Sequence, residues 1–156
     1  MNELQVRIVD LPPMRVARAH FYGTAPERGA WDKLLAWARA AGLLGDGETH
    51  RVFGFNDPSP SAGSPNYGYA FWMAVGPEVT GSDEIEIESF GGGRYAVARC
   101  ATEGDVERIG EGWRALVAWR EKSSYGPAHH QWLEEHIGGL EGEGPLTLDL
   151  YLPIAG

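Results

Sequence analysis

The sequence predicts an α+β fold in which a duplicated module builds a pseudo-twofold antiparallel sheet with two long helices. Three observations carry this. The pattern W-x-x-L-x-x-W occurs twice, as Trp31, Leu34 and Trp37 and again as Trp113, Leu116 and Trp119, and takes four of the six tryptophans. The strand-like Val16-Ala17-Arg18 recurs as Val97-Ala98-Arg99, 81 residues on, close to the 82 that separate Trp31 from Trp113, and Gly23 and Gly104 keep the spacing. Upstream, the segment Val6 to Pro13 has its counterpart in Ile85 to Gly92. Self-similarity at one long offset marks a repeated supersecondary unit. The repeat divides a single domain, residues 1–156, into halves of about 1–76 and 83–156.

Taken in order, Leu4 to Leu11 alternates and reads as a strand, Pro12-Pro13 ends it, and Met14 to Tyr22 reads as its hairpin partner. Gly23-Thr24 turns the chain. From Ala25 to Gly42 the period is helical: Pro26 suits the first turn, Trp31, Leu34, Leu35 and Ala38 share a face, and Gly42 suits the end. A polar, glycine-containing link over 43–50 leads to a short strand, Arg51 to Phe55. Asn56-Asp57-Pro58 opens a Ser-, Pro- and Gly-rich loop to Asn66, and Tyr67 to Val75 is a strand rich in aromatics.

After the connection 76–83, Glu84 to Phe90 alternates, turns through Gly91-Gly92-Gly93 and pairs with Arg94 to Thr102. Asp105 or Thr102 suits the cap of the second helix, whose apolar stripe is Val106, Ile109, Trp113, Leu116 and Val117. The halves then diverge. In place of the proline loop the second has Tyr125-Gly126-Pro127 and a further short helix, His129 to Ile137. Pro145 to Ile154 closes the chain as a strand with Leu146, Leu148, Leu150 and Leu152 on one face. Strand pairs flanking one long helix per half favour an antiparallel sheet over a parallel one.

Composition excludes several classes. The formal net charge of -9 opposes non-specific nucleic-acid binding, which needs Lys and Arg to displace counterions from phosphate. Both halves are used up by the duplicated module, which leaves no helices for a DNA reader. An acidic chain with six Trp and six Tyr suits cationic partners better. The single cysteine, Cys100, forms no internal disulfide, so the cytoplasm is the expected compartment. The first residues lack a signal-peptide pattern, and no apolar run approaches the ~18 residues that span a bilayer.

The residues that could carry chemistry are few. On a helix the sixth residue onward lies about 240° around, so Trp31 and Trp113 sit within their core stripes while Trp37 and Trp119 fall on the same flank of each helix. In a pseudo-symmetric duplicate those flanks can face each other across a central groove, or they can seal the core between the modules. In the short second-half helix, His130 and Glu134 are four apart, but no HExxH order, cysteine pair or separate histidine cluster completes a metal site. No metal or cofactor is expected. Glu134 is either a solvated helix carboxylate or, beside the aromatic pair Trp132 and His136, part of a packed face.

In sequence order, Val16-Ala17-Arg18 with Gly23, the Trp31 to Trp37 helix, Gly54-Phe55-Asn56-Asp57-Pro58, Tyr69, Gly93-Arg94-Tyr95-Ala96-Val97, the second tryptophan helix and Leu150-Tyr151-Leu152-Pro153-Ile154 resemble the GyrI-like small-molecule-binding domains. These serve as effector-binding domains of AraC-type and MerR-type multidrug transcription regulators. The resemblance implies two strand-helix-strand-strand modules about a central ligand groove. It also implies a pocket glutamate two residues before an aromatic; Glu134, two before His136, matches, with neighbouring Glu135 one residue away. The implied ligand site is then Glu134, Trp37, Trp119, Tyr69, Trp132 and Tyr151. Without a DNA-binding domain the chain looks like a stand-alone member. The implied function is binding of lipophilic aromatic cations or dyes. The alternatives are a hydrolase that opens cyclopropane-containing genotoxic natural products, with Glu134 as base, and a protein-interaction module such as a gyrase inhibitor.

Overall fold

The computed structural model describes residues 4–45, 50–142 and 144–156, so positions 46–49 of the polar link lie outside the described residues. The strands are β1 (Val6–Leu11), β2 (Met14–Gly23), β3 (Val52–Asn56), β4 (Tyr67–Ala74), β5 (Glu86–Phe90), β6 (Gly93–Ala101), β7 (Gly126–Pro127), β8 (Leu133–His136) and β9 (Thr147–Ala155). The long helices are α1 (Pro26–Ala40) and α2 (Glu107–Lys122). The sheet order is β1-β6-β9-β8-β3-β4-β2-β5, with the two-residue β7 pairing β9 beside it, and all pairings are antiparallel. Exchanging the halves reverses this order onto itself. The fold is therefore an α+β pseudo-twofold sheet.

Neither expected hairpin forms. β1 pairs with β6 of the other half, Val6 opposite Ala98 through Leu11 opposite Gly93, and β5 pairs with β2. The connections explain the exchange. A two-residue hairpin needs positive φ, and Pro12-Pro13 between β1 and β2 fixes φ near −65°. The counterpart connection, Gly91-Gly92, folds against it: Gly92 has φ +78°, and a Cβ there would lie 2.4 Å from the Leu11 carbonyl oxygen. Only glycine meets both conditions.

The short connections also curl the sheet. Two linking residues span at most about 11 Å, yet they join β1, at one edge, to β2, next to the other. The edges must come together in a half-barrel. Its concave interior is the buried cluster of Leu11, Val16, Phe53, Phe90, Tyr95, Leu133 and Tyr151, drawn from both edges and from the centre. The helices cover the convex face. α1 buries Ala30, Leu34 and Ala38 over Ala17, Ala19, Phe71 and Met73; α2 sets Leu116, Trp113 and Val117 over Ala96, Ala98, Leu148 and Leu150. Val106, expected in the α2 stripe, is 67% exposed just before the helix, where Asp105 Oδ1 accepts the Glu107 N–H (3.1 Å). Thr102 is not the cap, because its hydroxyl donates to the Leu146 carbonyl (2.6 Å).

The expected helix over His129 to Ile137 is also absent. A helix this short is marginal in water, whereas the gap between β3 and β9 offers hydrogen-bond partners on both sides. Leu133 to His136 fills it as β8, with Glu134 opposite Gly54 and Leu150.

One ion-pair cluster ties the exchanged strand down. Asp149 of β9, 3% exposed, accepts from Arg7 of β1 (2.8 Å) and from Arg99 of β6 (2.8 and 3.1 Å). Burial pushes its carboxyl up, but the bonds from Arg99 and Arg7 outweigh this and hold it below 3.8. The stabilisation is therefore present above pH ~4 and is lost as pH falls through the lowered value. Asp149→Asn should lower the unfolding free energy by about 2 kcal/mol, the smaller end for charged hydrogen bonds because both guanidinium groups are half exposed. Urea titration at neutral pH checks this; an unchanged midpoint would show that the cluster adds nothing.

Candidate functional site

The site lies on the convex face between the helices, where the central strands β3 and β8 meet. Strand alternation puts Glu134 and His136 on this face, and Leu133 and Glu135 on the concave one. Glu134 sits opposite Gly54, whose missing side chain opens the way for Tyr69 of β4: a Cβ at Gly54 would lie 2.3 Å from the Tyr69 hydroxyl. Tyr69 donates to Glu134 Oε1 (2.6 Å), and from α2 the Trp113 indole N–H donates to Oε2 (2.9 Å). The carboxylate is thus paired within the protein and is not a solvated helix residue. It is held by one donor from each half, and each oxygen keeps further acceptor capacity. Burial, reinforced by the Glu134 charge, raises the Tyr69 hydroxyl well above 10, so Tyr69 stays protonated and donates.

Beside this carboxylate is a cavity of about 470 Å³, lined by Gly54, Phe55, Asn56, Ser59, Trp113, Gln131, Trp132 and Glu134. Its volume suits a drug-sized ligand. Trp132 is 41% exposed and packs tilted on Trp113 with ring centroids 5.3 Å apart. The Arg120 guanidinium lies 5.9 Å over its ring.

The other candidates fall elsewhere. Glu135 points to the concave face, where Arg51 grips it with two bonds (2.8 and 2.9 Å) and the Tyr151 hydroxyl donates to it (2.6 Å). Tyr151 belongs to the concave core and lines no part of the cavity, because the alternation of β9 turns Leu150 and Leu152 toward α2 instead. Trp37 packs in the cluster under α1, and Trp119 stacks on Tyr125 (6.1 Å) in the cluster under α2. The indoles that reach the central strands are the first of each motif. Trp113 meets Glu134, and Trp31 meets His136 at 5.1 Å. His130 bonds the Arg94 carbonyl (2.8 Å) and packs edge-on to Tyr95, on the concave side.

Sequence reasoning missed Trp31, Trp113, Gly54 and the residues after it. A signal was present. A glycine inside the apolar run Val52-Phe53-Gly54-Phe55 marks close approach by another group.

A two-helix convex face over a curled antiparallel sheet, with a carboxylate in an aromatic cavity between the halves, defines a small-molecule effector-binding domain. The family model for the integron-associated effector binding protein, Cass2, matches residues 7–154, and the chain belongs to that GyrI-like family.

Among solved structures, the C-terminal domain of EcmrR aligns at TM-score 0.71 and 15% identity over 97% of this chain and 98% of that one. In its DNA complex, the EcmrR chain is matched at TM-score 0.71 and 14% identity over 97% of this chain, which spans 57% of its length. A hydrolase from Listeria innocua aligns at TM-score 0.67 and 12% identity, over 97% and 92% of the two chains. SAV2435, solved with tetraphenylphosphonium, aligns at TM-score 0.57 and 10% identity, over 99% and 95%. At these identities the likeness shows the fold. No curated protein matches the chain in sequence.

Two outcomes follow from the geometry. Gly54→Ala should push the Tyr69 hydroxyl off Glu134 and cost roughly 1–3 kcal/mol by overpacking; chemical denaturation reads this, and an unchanged stability would show that Tyr69 yields freely. His136 has a pKa lowered by burial from 6.5 to about 4. The unfolded chain therefore takes up this proton first as pH falls. Stability should drop between about pH 6.5 and 4, by up to roughly 3 kcal/mol from this residue. His136→Phe should flatten that part of the pH–stability curve, and an unaltered slope would assign it to other groups.

Proposed function

We propose that this protein binds lipophilic aromatic cations in the cavity beside Glu134. The observation that carries the reading is the Glu134 carboxylate, fixed by Tyr69 and Trp113 at the wall of an otherwise aromatic and neutral space. Trp113, Trp132 and Phe55 supply π faces, each good for about 0.5–2 kcal/mol toward a cation, and the carboxylate supplies the opposite charge. Tetraphenylphosphonium bound to SAV2435 supports the same ligand class here. The match to the C-terminal domain of EcmrR and to the effector-binding family model supports reading this domain as a ligand sensor. A single buried cysteine, Cys100, suits work in the cytoplasm.

A second reading rests on the Tyr69 to Glu134 bond and on the hydrolase among the fold neighbours. Tyr69 positions Glu134, which takes a proton from a water as its oxygen adds to a strained-ring carbon of a cyclopropane-containing substrate, and the proton is returned to the group released as the ring C–C bond opens. Turnover of such a substrate, lost in Glu134→Gln, would favour it over binding alone.

Glu134→Gln tests the first reading with little structural change. The amide oxygen can still accept from Trp113, and the Tyr69 hydroxyl can rotate to accept from the amide nitrogen. Titration with tetraphenylphosphonium, followed by tryptophan fluorescence, should show saturable quenching in wild type. Affinity should fall by about 1–3 kcal/mol in Glu134→Gln, while a neutral analogue such as triphenylphosphine oxide is nearly unaffected. Equal losses for both ligands would mean that Glu134 shapes the cavity without reading charge.

A further inference from the structure

The geometry points to a second binding compartment at the other end of the central seam, built by the pseudo-twofold from Trp31, His136 and the residues around β8 and β9, that takes an uncharged aromatic group carrying a hydroxyl or similar polar atom. The symmetry can be read from the register. Phe53 faces Glu135, so a twofold through that pair exchanges Gly54 with His136 and Val52 with Glu134. The same 82-residue offset relates Trp31 to Trp113 and Phe55 to Ile137. The cavity beside Glu134 uses Trp113, Gly54 and Phe55. Its mate uses Trp31, His136 and Ile137, together with Pro145, Leu146 and Thr147, and encloses about 200 Å³.

The two compartments differ in chemistry because Glu134 has Val52 as its counterpart, and Val52 is fully buried. Among the described residues, no Asp, Glu, Lys or Arg lines the second compartment. A cation would find no counter-charge among these residues. Among the described lining residues, the imidazole of His136 offers a ring nitrogen to a ligand, wedged against Trp31 (5.1 Å) and Phe71 (5.2 Å). Ring contacts are all it makes with described residues, and no buried side-chain nitrogen lacks a partner. Its ring nitrogens therefore keep some exposure, and His136 lines the cavity. Burial lowers its pKa to about 4, so at neutral pH the ring carries one N–H donor and one bare nitrogen acceptor. A phenolic O–H can donate to the bare nitrogen while its ring packs on Trp31. Ile137 and Leu146, each 37% exposed, form the rim.

2-Naphthol is the probe, titrated by calorimetry into the protein alone and into protein saturated with tetraphenylphosphonium. One saturable naphthol site is expected, with its affinity changed less than about twofold by the cation. His136→Phe keeps the ring but removes the acceptor, and should weaken naphthol by about three- to tenfold, the worth of one hydrogen bond. Leu146→Trp, at the exposed rim, should abolish naphthol binding by filling the compartment without touching the core. Competition between naphthol and the cation would place both in the Glu134 cavity and overturn the proposal. So would absence of saturable naphthol binding, or equal naphthol affinity in wild type and His136→Phe. The naphthol titration without cation does not depend on the cation-binding reading, so failure of that reading alone would appear as silent tetraphenylphosphonium with intact naphthol binding.

Discussion

Two connections too stiff or too crowded to make hairpins govern this molecule. Pro12-Pro13 denies β1 and β2 the positive φ of a tight turn, and Gly92 lets the second connection lie directly on the first. Each half therefore gives its first strand to the other, and the sheet closes toward a half-barrel. Because that closure fills the concave interior with Phe53, Tyr95, Leu133 and Tyr151, little space for a ligand remains on that side. Open volume is left on the convex face, between α1 and α2, over the seam where the halves meet at β3 and β8. The site is a consequence of the strand exchange.

At that seam the energetics of one carboxylate are shared between halves. Partly burying Glu134 costs desolvation, which the bonds from Tyr69 and Trp113 offset at roughly 1.5–3 kcal/mol each for a charged acceptor. One donor comes from β4 and the other from α2, so the carboxylate also couples the position of α2 to the first half of the sheet. A ligand that competes for Glu134 would loosen Trp113, and with it the wall of its own cavity.

The repeat was legible because tryptophan is rare and its motif returned at a nearly constant offset. Helix spans followed from 3.6-residue periodicity and from Pro26 and Gly42, and the closing strand from alternating leucines. Pairing was not legible. A two-residue gap between alternating segments reads as a hairpin, and only the stiffness of Pro-Pro and the steric fit of Gly92 redirect the strands. Leu133 and Ile137, four apart, and Trp132 and His136, also four apart, mimic a helix; the vacancy between β3 and β9 decided for a strand, which is tertiary context overriding local pattern. Of the residues the sequence offered for the site, Glu134 and Trp132 line the cavity, while Tyr69 lies behind Glu134 and donates to it. Trp37 and Trp119 drew attention through shared flanks, but it is Trp31 and Trp113, the first of each motif, that reach the seam.

Divergence between the halves gives the seam its polarity. A symmetric duplicate with glutamate at both 52 and 134 would set two carboxylates on the same face of adjacent strands, where like charges raise one another's pKa and one would take up a proton. Val52 removes that conflict and leaves Glu134 as the charged residue on the convex face of β3 and β8. The complementary exchange, Gly54 for His136, then does opposite things at the two ends. At one end the lost side chain lets Tyr69 through to the carboxylate; at the other the imidazole closes the gap and, being neutral, adds a polar atom without a charge. Two substitutions across one pseudo-twofold are sufficient to give a symmetric seam a carboxylate at one end and a neutral imidazole at the other.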